Sequence, residues 1–158
     1  MAHHRALLFG EIAGGTNHMT DAGRIVQCTW NNLPKHYSGV ECDAFVVMPN
    51  HVHGIIQLND PCVGAADTTG ASPRRCFLSE IVRALKTFSA RRINEQRPAN
   101  AGPVWQGNYY DHVIRDDREL LRIREYIVNN PLQWATDREN PMQPPDFKPT
   151  DGVDAWEV

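Results

Sequence analysis

Three things are scarce in this chain, and each scarcity excludes a class of protein. No apolar run among its 158 residues approaches the roughly 18 that a helical membrane span requires, so a membrane partner is not expected. Excess positive charge is missing as well: 16 Lys and Arg stand against 19 Asp and Glu, a net charge of −3. That balance argues against a uniformly cationic nucleic-acid binder, because phosphates are neutralised by basic side chains. Closely spaced cysteines are also missing. Cys28, Cys42, Cys62 and Cys76 are separated by 14, 20 and 14 positions, whereas zinc sites present ligands about two to four residues apart. The opening Met-Ala-His-His-Arg-Ala-Leu-Leu-Phe has neither a long apolar stretch nor a small-residue cleavage site. It predicts a cytoplasmic chain whose cysteines are free thiols in or near the core.

What remains is a chain long enough for one domain with a real core, 41% hydrophobic and 22% charged. Ile25, Val26, Trp30 and Leu33 recur at helical spacing after Thr20, which predicts a helix over 20–33 ended by Pro34. Val40–Met48 and His51–Leu58 read as two strands joined at a Pro49-Asn50 turn. Residues 59–76 are small, polar and punctuated by Gly and Pro, the composition of a mobile loop. A second helix starts at Ser79 with Ile81, Val82, Leu85, Phe88 and Ile93 as its apolar stripe. Val104–Ile114 is a strand or irregular extended segment. Asp116 and Glu119 form a capping-box signature for a third helix, with Leu120, Ile123 and Ile127 inward and a stop at Asn130-Pro131. Residues 1–135 form the domain, and 136–158 an acidic, Pro-rich tail, poorly ordered or draped on the surface.

His51 and His53 are two apart in a strand pattern, so both imidazoles leave one face while Val52 and Gly54 turn to the other. Two neutral imidazoles on one face can ligate a metal ion if a third ligand comes from elsewhere. A loop acid such as Asp67 or an Asn side chain would serve, and spacing does not choose between them. Structural histidines are the ordinary alternative.

Met48-Pro49-Asn50-His51-Val52-His53-Gly54-Ile55-Ile56 resembles the signature strand of the single-tyrosine HUH transposases (histidine, hydrophobe, histidine). Two further segments resemble the same family in the same order: Val104–Asp116 and Ile123-Arg124-Glu125-Tyr126-Ile127-Val128-Asn129-Asn130-Pro131, which is similar to its tyrosine helix. The branch resembled most is the REP-associated tyrosine transposases and related insertion-sequence proteins, over about residues 5–140. The resemblance implies an α+β fold: a ferredoxin-like antiparallel sheet with helices on one face, here without the strand that usually opens the family's sheet. It also implies an endonuclease and strand transferase that acts on single-stranded or hairpin DNA through a 5′-phosphotyrosine intermediate. Tyr126 would be the nucleophile, and His51, His53 and Asn130 the ligands of Mg²⁺ or Mn²⁺. A homodimer is among the assemblies the resemblance allows.

Positions 126 and 130 are one helical turn apart, so phenol and amide share a face. Taken without the resemblance, Tyr126 reads as a packing aromatic and Asn130 as a helix C-terminal residue. Tyr109 and Tyr110 compete as nucleophiles by residue type, but their extended segment lacks such a partner. Seven Lys or Arg stand against two Glu in residues 74–97, a local net charge of +5 within a remainder of −8. Arg83, Lys86, Arg91, Arg92 and, on the tyrosine helix, Arg122 are therefore candidate phosphate contacts, with Trp105 and Gln106 as candidate base contacts. A non-catalytic, hairpin-binding remnant of such a transposase is the alternative. A histidine-triad hydrolase is disfavoured because Ile55 stands where that family has its third histidine.

Overall fold

The two apolar, β-branched stretches become the longest strands. The computed structural model describes residues 7–63 and 77–143. In it β3 (Ser38–Val47) and β4 (Val52–Val63) pair antiparallel, with Phe45 opposite Gly54, Val46 opposite His53 and Val47 opposite Val52. The turn between them closes through the Met48 N–H donating to the His51 carbonyl at 2.9 Å. β4 reaches Val63, past residue 59 where a loop was expected; residues 64–76, with Asp67 and Cys76, lie outside the described residues.

Upstream stands a hairpin that the sequence reading does not contain: β1 (Gly10–Ala13) pairs with β2 (Thr16–Met19). Gly14 and Gly15 form its two-residue loop at φ +58° and +75°, the left-handed conformation such loops demand. Asn17 anchors the hairpin by donating to the Val47 carbonyl, and the Phe9 N–H donates to the Pro49 carbonyl at 2.9 Å. The hairpin therefore buttresses the turn that carries the histidines.

Helix α1 (Asp21–His36) is capped by Thr20, whose hydroxyl accepts from the Gly23 N–H at 3.2 Å. It was expected to end at Pro34 but continues to His36. Pro34 has no N–H, which deprives the Trp30 carbonyl of its helical donor; the Cys42 thiol lies 3.6 Å from that oxygen and donates instead. Helix α2 (Leu78–Asn94) follows, then an irregular segment, then α3 (Asp117–Gln133) and the single 3₁₀ turn Trp134–Thr136. Asp116 accepts from the Glu119 N–H at 2.8 Å, and the Glu119 carboxylate accepts from the Arg115 N–H at 2.8 Å. The stop expected at Asn130-Pro131 does not occur either. A proline near a helix end removes only one bond, and buried Ile123, Ile127 and Asn130 hold this face of the helix in place.

The sheet is covered on both faces. Trp30, Leu33, Val40, Ile81 and Leu85 form one cluster, with Phe45 and Ile56 packed against it, so α1 and α2 share a face. Ile55, Ile123 and Ile127 form another, with Ala44, Val46 and Tyr126, so α3 lies on the opposite face. Two helices share a face as expected, and the third does not. The reason is in β3, whose residues 44–47 are apolar at every position, giving both faces something to bury. The class is α+β, with two antiparallel two-stranded sheets among the described residues, compatible with a ferredoxin-like plan.

Candidate functional site

The β3–β4 turn delivers two imidazoles to the α3 face. His53 is the second residue of β4, and His51 lies just before the strand. Gly54 explains how this stretch packs so closely. A Cβ there would stand 2.6 Å from the Trp30 ring and 2.8 Å from the Phe45 ring, which stack on each other at 4.2 Å. Only glycine lets that stack press against the strand while His53 projects from the other side.

His51 Nε2 and His53 Nε2 are 3.0 Å apart, with the rings edge to face. His51 Nδ1 lies 2.8 Å from Asn50 Oδ1, and Asn50 Nδ2 donates to the Glu139 carbonyl at 2.7 Å. That second bond identifies the amide oxygen as the atom facing His51, so Nδ1 carries a hydrogen directed at it. Burial, followed by the neighbouring His51 charge, pushes the His53 pKa down to about 4, against an opposing pull from Asp137. His53 is therefore neutral at pH 7, the form that ligates metals.

Helix α3 completes the cluster. The Tyr126 ring meets His53 edge-on at 5.4 Å, and Trp134 approaches His51 at 6.2 Å. Residues 126, 130 and 134 lie on one face of the chain at this point, so Asn130 stands between the two ring contacts. It is 2% exposed, and its Oδ1 has neither solvent nor a hydrogen-bond partner. Beyond the 3₁₀ turn, Asp137 Oδ2 lies 3.8 Å from His51 Nε2.

Among the described residues no three His, Cys, Asp or Glu side chains gather tightly enough for a metal ion. A metal here depends on the imidazole pair together with an amide oxygen. The geometry fits that set: two neighbouring ligands on an octahedral ion with bonds of about 2.1 Å stand about 3.0 Å apart, the separation of the two Nε2 atoms. The orphaned Asn130 oxygen is the candidate for a hard third donor.

The basic residues are less concentrated than their sequence spacing suggested. Arg83, Arg91 and Arg92 are exposed on α2, which covers the sheet face opposite the histidines. Arg92 lies against α1, its guanidinium 3.9 Å from the Cys28 sulfur. Lys86 donates to the carbonyls of Gln106 and Asn108 at 2.9 and 2.8 Å, and partial burial lowers its pKa. Trp105 is turned inward, packed on Phe9 at 4.8 Å with its N–H donating to Ser89 Oγ at 2.9 Å. Gln106 is exposed. Arg122, one turn before Tyr126, is also exposed and stands 4.0 Å from Glu119.

Asn50, Trp134 and Asp137 are the site residues that the sequence did not single out. Asn50 reads as a turn residue and Asp137 as one acid of a polar tail. Neither carries a local signal of its role, because the Asp137 contact with His51 and the Asn50 bond to the Glu139 carbonyl each join positions more than 80 residues apart.

No family model and no solved structure matches the chain. Two proteins of Haemophilus influenzae are similar to it. The first, an uncharacterized protein, is 35% identical, over 85% of this chain and 78% of its own length. The second, named "Putative REP-associated tyrosine transposase", is 26% identical, over 74% of this chain. The chain spans 63% of that second protein's length.

Proposed function

We infer, for a chain that belongs to the family of the uncharacterized Haemophilus influenzae protein, the chemistry of a metal-dependent transposase that nicks and rejoins single-stranded, hairpin-bearing DNA. The observation that carries this reading is the meeting of Tyr126 with the His51–His53 pair, beside a buried amide oxygen without a partner. The similarity to a protein named as a tyrosine transposase supports it.

In this reading Tyr126 Oη loses its proton and attacks a backbone phosphorus. A phosphorus–Oη bond forms as the bond to the 3′ oxygen breaks, and that oxygen leaves with a proton as a 3′-OH. The 5′-phosphate stays on the enzyme as a phosphotyrosine. One phosphodiester has been exchanged for another, so attack by a DNA 3′-OH reverses the step and joins strands. His51, His53 and Asn130 would hold the divalent ion, Mg²⁺ or Mn²⁺. When bound, such an ion polarises phosphoryl oxygens and favours a phenolate whose ordinary pKa is about 10. The edge-on His53 contact orients the phenol ring, and Arg122 offers a cation one turn away.

The test is a labelled hairpin with a single-stranded flank, incubated with the protein and Mn²⁺ and resolved under denaturing conditions. A covalent protein–DNA adduct is expected from the wild type and none from Tyr126→Phe; an adduct that persists in Tyr126→Phe refutes the nucleophile. A second reading, a non-catalytic hairpin-binding protein, is favoured by one observation: the basic face of α2 lies across the sheet from the histidines. It predicts hairpin binding with no adduct from the wild type.

A further inference from the structure

We propose that the Arg124–Asp43 ion pair positions the nucleophile: it locks α3 against β3 so that the Tyr126 ring is held on His53, a role that rests on the transposase reading above. The Arg124 guanidinium grips the carboxylate with two nitrogens, Nε donating to Oδ1 at 3.0 Å and Nη2 to Oδ2. The partners are 81 positions apart in the chain, and Arg124 stands two residues before Tyr126 on α3. Asp43 sits at an irregularity in β3. Cys42 pairs with Ile56 and Phe45 with Gly54, so β3 carries one residue more than β4 across this stretch, a bulge. The Asp43 Oδ1 also accepts from the Ala44 N–H at 2.6 Å. One carboxylate thus holds the bulge and the tyrosine helix together. Just past the bulge, the register places Val46 opposite His53.

The apolar contacts of α3 leave its roll on the sheet undetermined. Ile123 and Ile127 pack with Ile55, Ala44 and Val46, and such burial is non-directional, so a small slide or rotation of the helix costs little. A two-nitrogen grip on a carboxylate is directional. It sets both the height and the roll of the helical turn from which Tyr126 meets His53. Stability is a weaker account of the pair. Its side chains are 42% and 26% exposed, and ion pairs so accessible to water contribute little to folding. Geometry is where it matters, because a reacting group misplaced by about 1 Å loses about 100-fold in rate. The bond from Arg124 is also the chief influence holding the Asp43 carboxyl below its ordinary range, so the grip is intact at neutral pH.

Arg124→Gln and Arg124→Lys in the full chain test this with two readouts. The first is the single-turnover rate of adduct formation at saturating labelled hairpin and Mn²⁺, measured beside the hairpin affinity. The second, recorded in EDTA, is the nuclear Overhauser contact between the Tyr126 and His53 rings, with the contacts of Ile123 and Ile127 to Ile55 as the check that α3 stays docked. In Arg124→Gln the rate is expected to fall about tenfold or more, with hairpin affinity within about twofold of the wild type. The Tyr126–His53 contact weakens there while the isoleucine contacts persist. Arg124→Lys keeps the charge but not the planar fork and is expected to recover only part of the rate. A wild-type rate in either variant, or a slower rate with an unaltered Tyr126–His53 contact, overturns the positioning role. If Arg124→Gln does not fold, Arg124→Lys carries both readouts. A wild type that forms no adduct overturns the transposase reading. The ring contact then decides the pair's role alone: weakening in Arg124→Gln upholds its hold on Tyr126, and persistence overturns it.

Discussion

Replacing Asn130 with leucine is expected to stabilise the metal-free protein while disabling it. Asn130 is 2% exposed and its amide oxygen has no hydrogen-bond partner. A buried polar atom left in that state costs about 1–3 kcal/mol, because the water it gave up on folding is not replaced. Leucine has a similar volume, removes the orphaned oxygen and adds apolar surface against Ile123 and Ile127, so about 2 kcal/mol of stabilisation is expected. For a chain of this size that raises the melting midpoint by roughly 4–8 °C. The assay is a pair of thermal melts of each protein, one in EDTA and one in Mn²⁺. In EDTA the variant melts higher. Under the proposed metal-dependent function, at a Mn²⁺ concentration of about 100 Kd the wild type would gain about 2.7 kcal/mol by mass action, and the variant, without the amide oxygen, would gain less, so the order is expected to narrow or invert. A variant that melts at or below the wild type in EDTA refutes the reasoning, since the oxygen then has a favourable partner in the metal-free fold.

Three further outcomes follow from the structure. His53 has its pKa lowered to about 4 chiefly by burial, so between pH 6.5 and 4 the unfolded chain binds a proton there that the native chain refuses. Native stability is therefore retained above pH 6.5 and falls by about 3 kcal/mol as the pH drops to 4; urea melts in EDTA across that window should show a shallower slope for His53→Gln. Gly54→Ala drives a methyl into the Trp30–Phe45 stack and is expected to cost about 1–3 kcal/mol by overpacking, read as a lower urea midpoint with an unchanged m value. Trp105→Ala removes the packing on Phe9 and the bond to Ser89, and the same melts should show a loss of about 2–4 kcal/mol.

Much of the architecture was legible because it is periodic. Ile25, Val26, Trp30 and Leu33 stand at helical spacing in the sequence and are all buried in α1. The β3–β4 pair and its Pro-Asn turn follow from β-branched runs around a breaker. What failed were rules that treat proline as a stop. Pro34 and Pro131 both sit inside helices, because a missing N–H costs little when a thiol replaces it or when few turns remain. The β1–β2 hairpin was missed although Gly14-Gly15 is its signal, since its four-residue strands are too short to show alternation.

The sequence by itself determined the candidate chemistry: which side chains carry lone pairs, a phenol and an amide, and that His51 and His53, or Tyr126 and Asn130, lie within reach of each other along their own elements. Those are local facts, set by strand and helix periods. Only the tertiary structure decided that Tyr126 meets His53, that Asn130 is buried with its oxygen unmatched, and that Asp137 turns back to face His51. It also separated the basic face of α2 from that cluster, because α2 and α3 cover opposite faces of one sheet. The physical reason is that a sheet apolar on both sides must be covered on both, and the choice of side is a packing outcome that no spacing along the chain encodes.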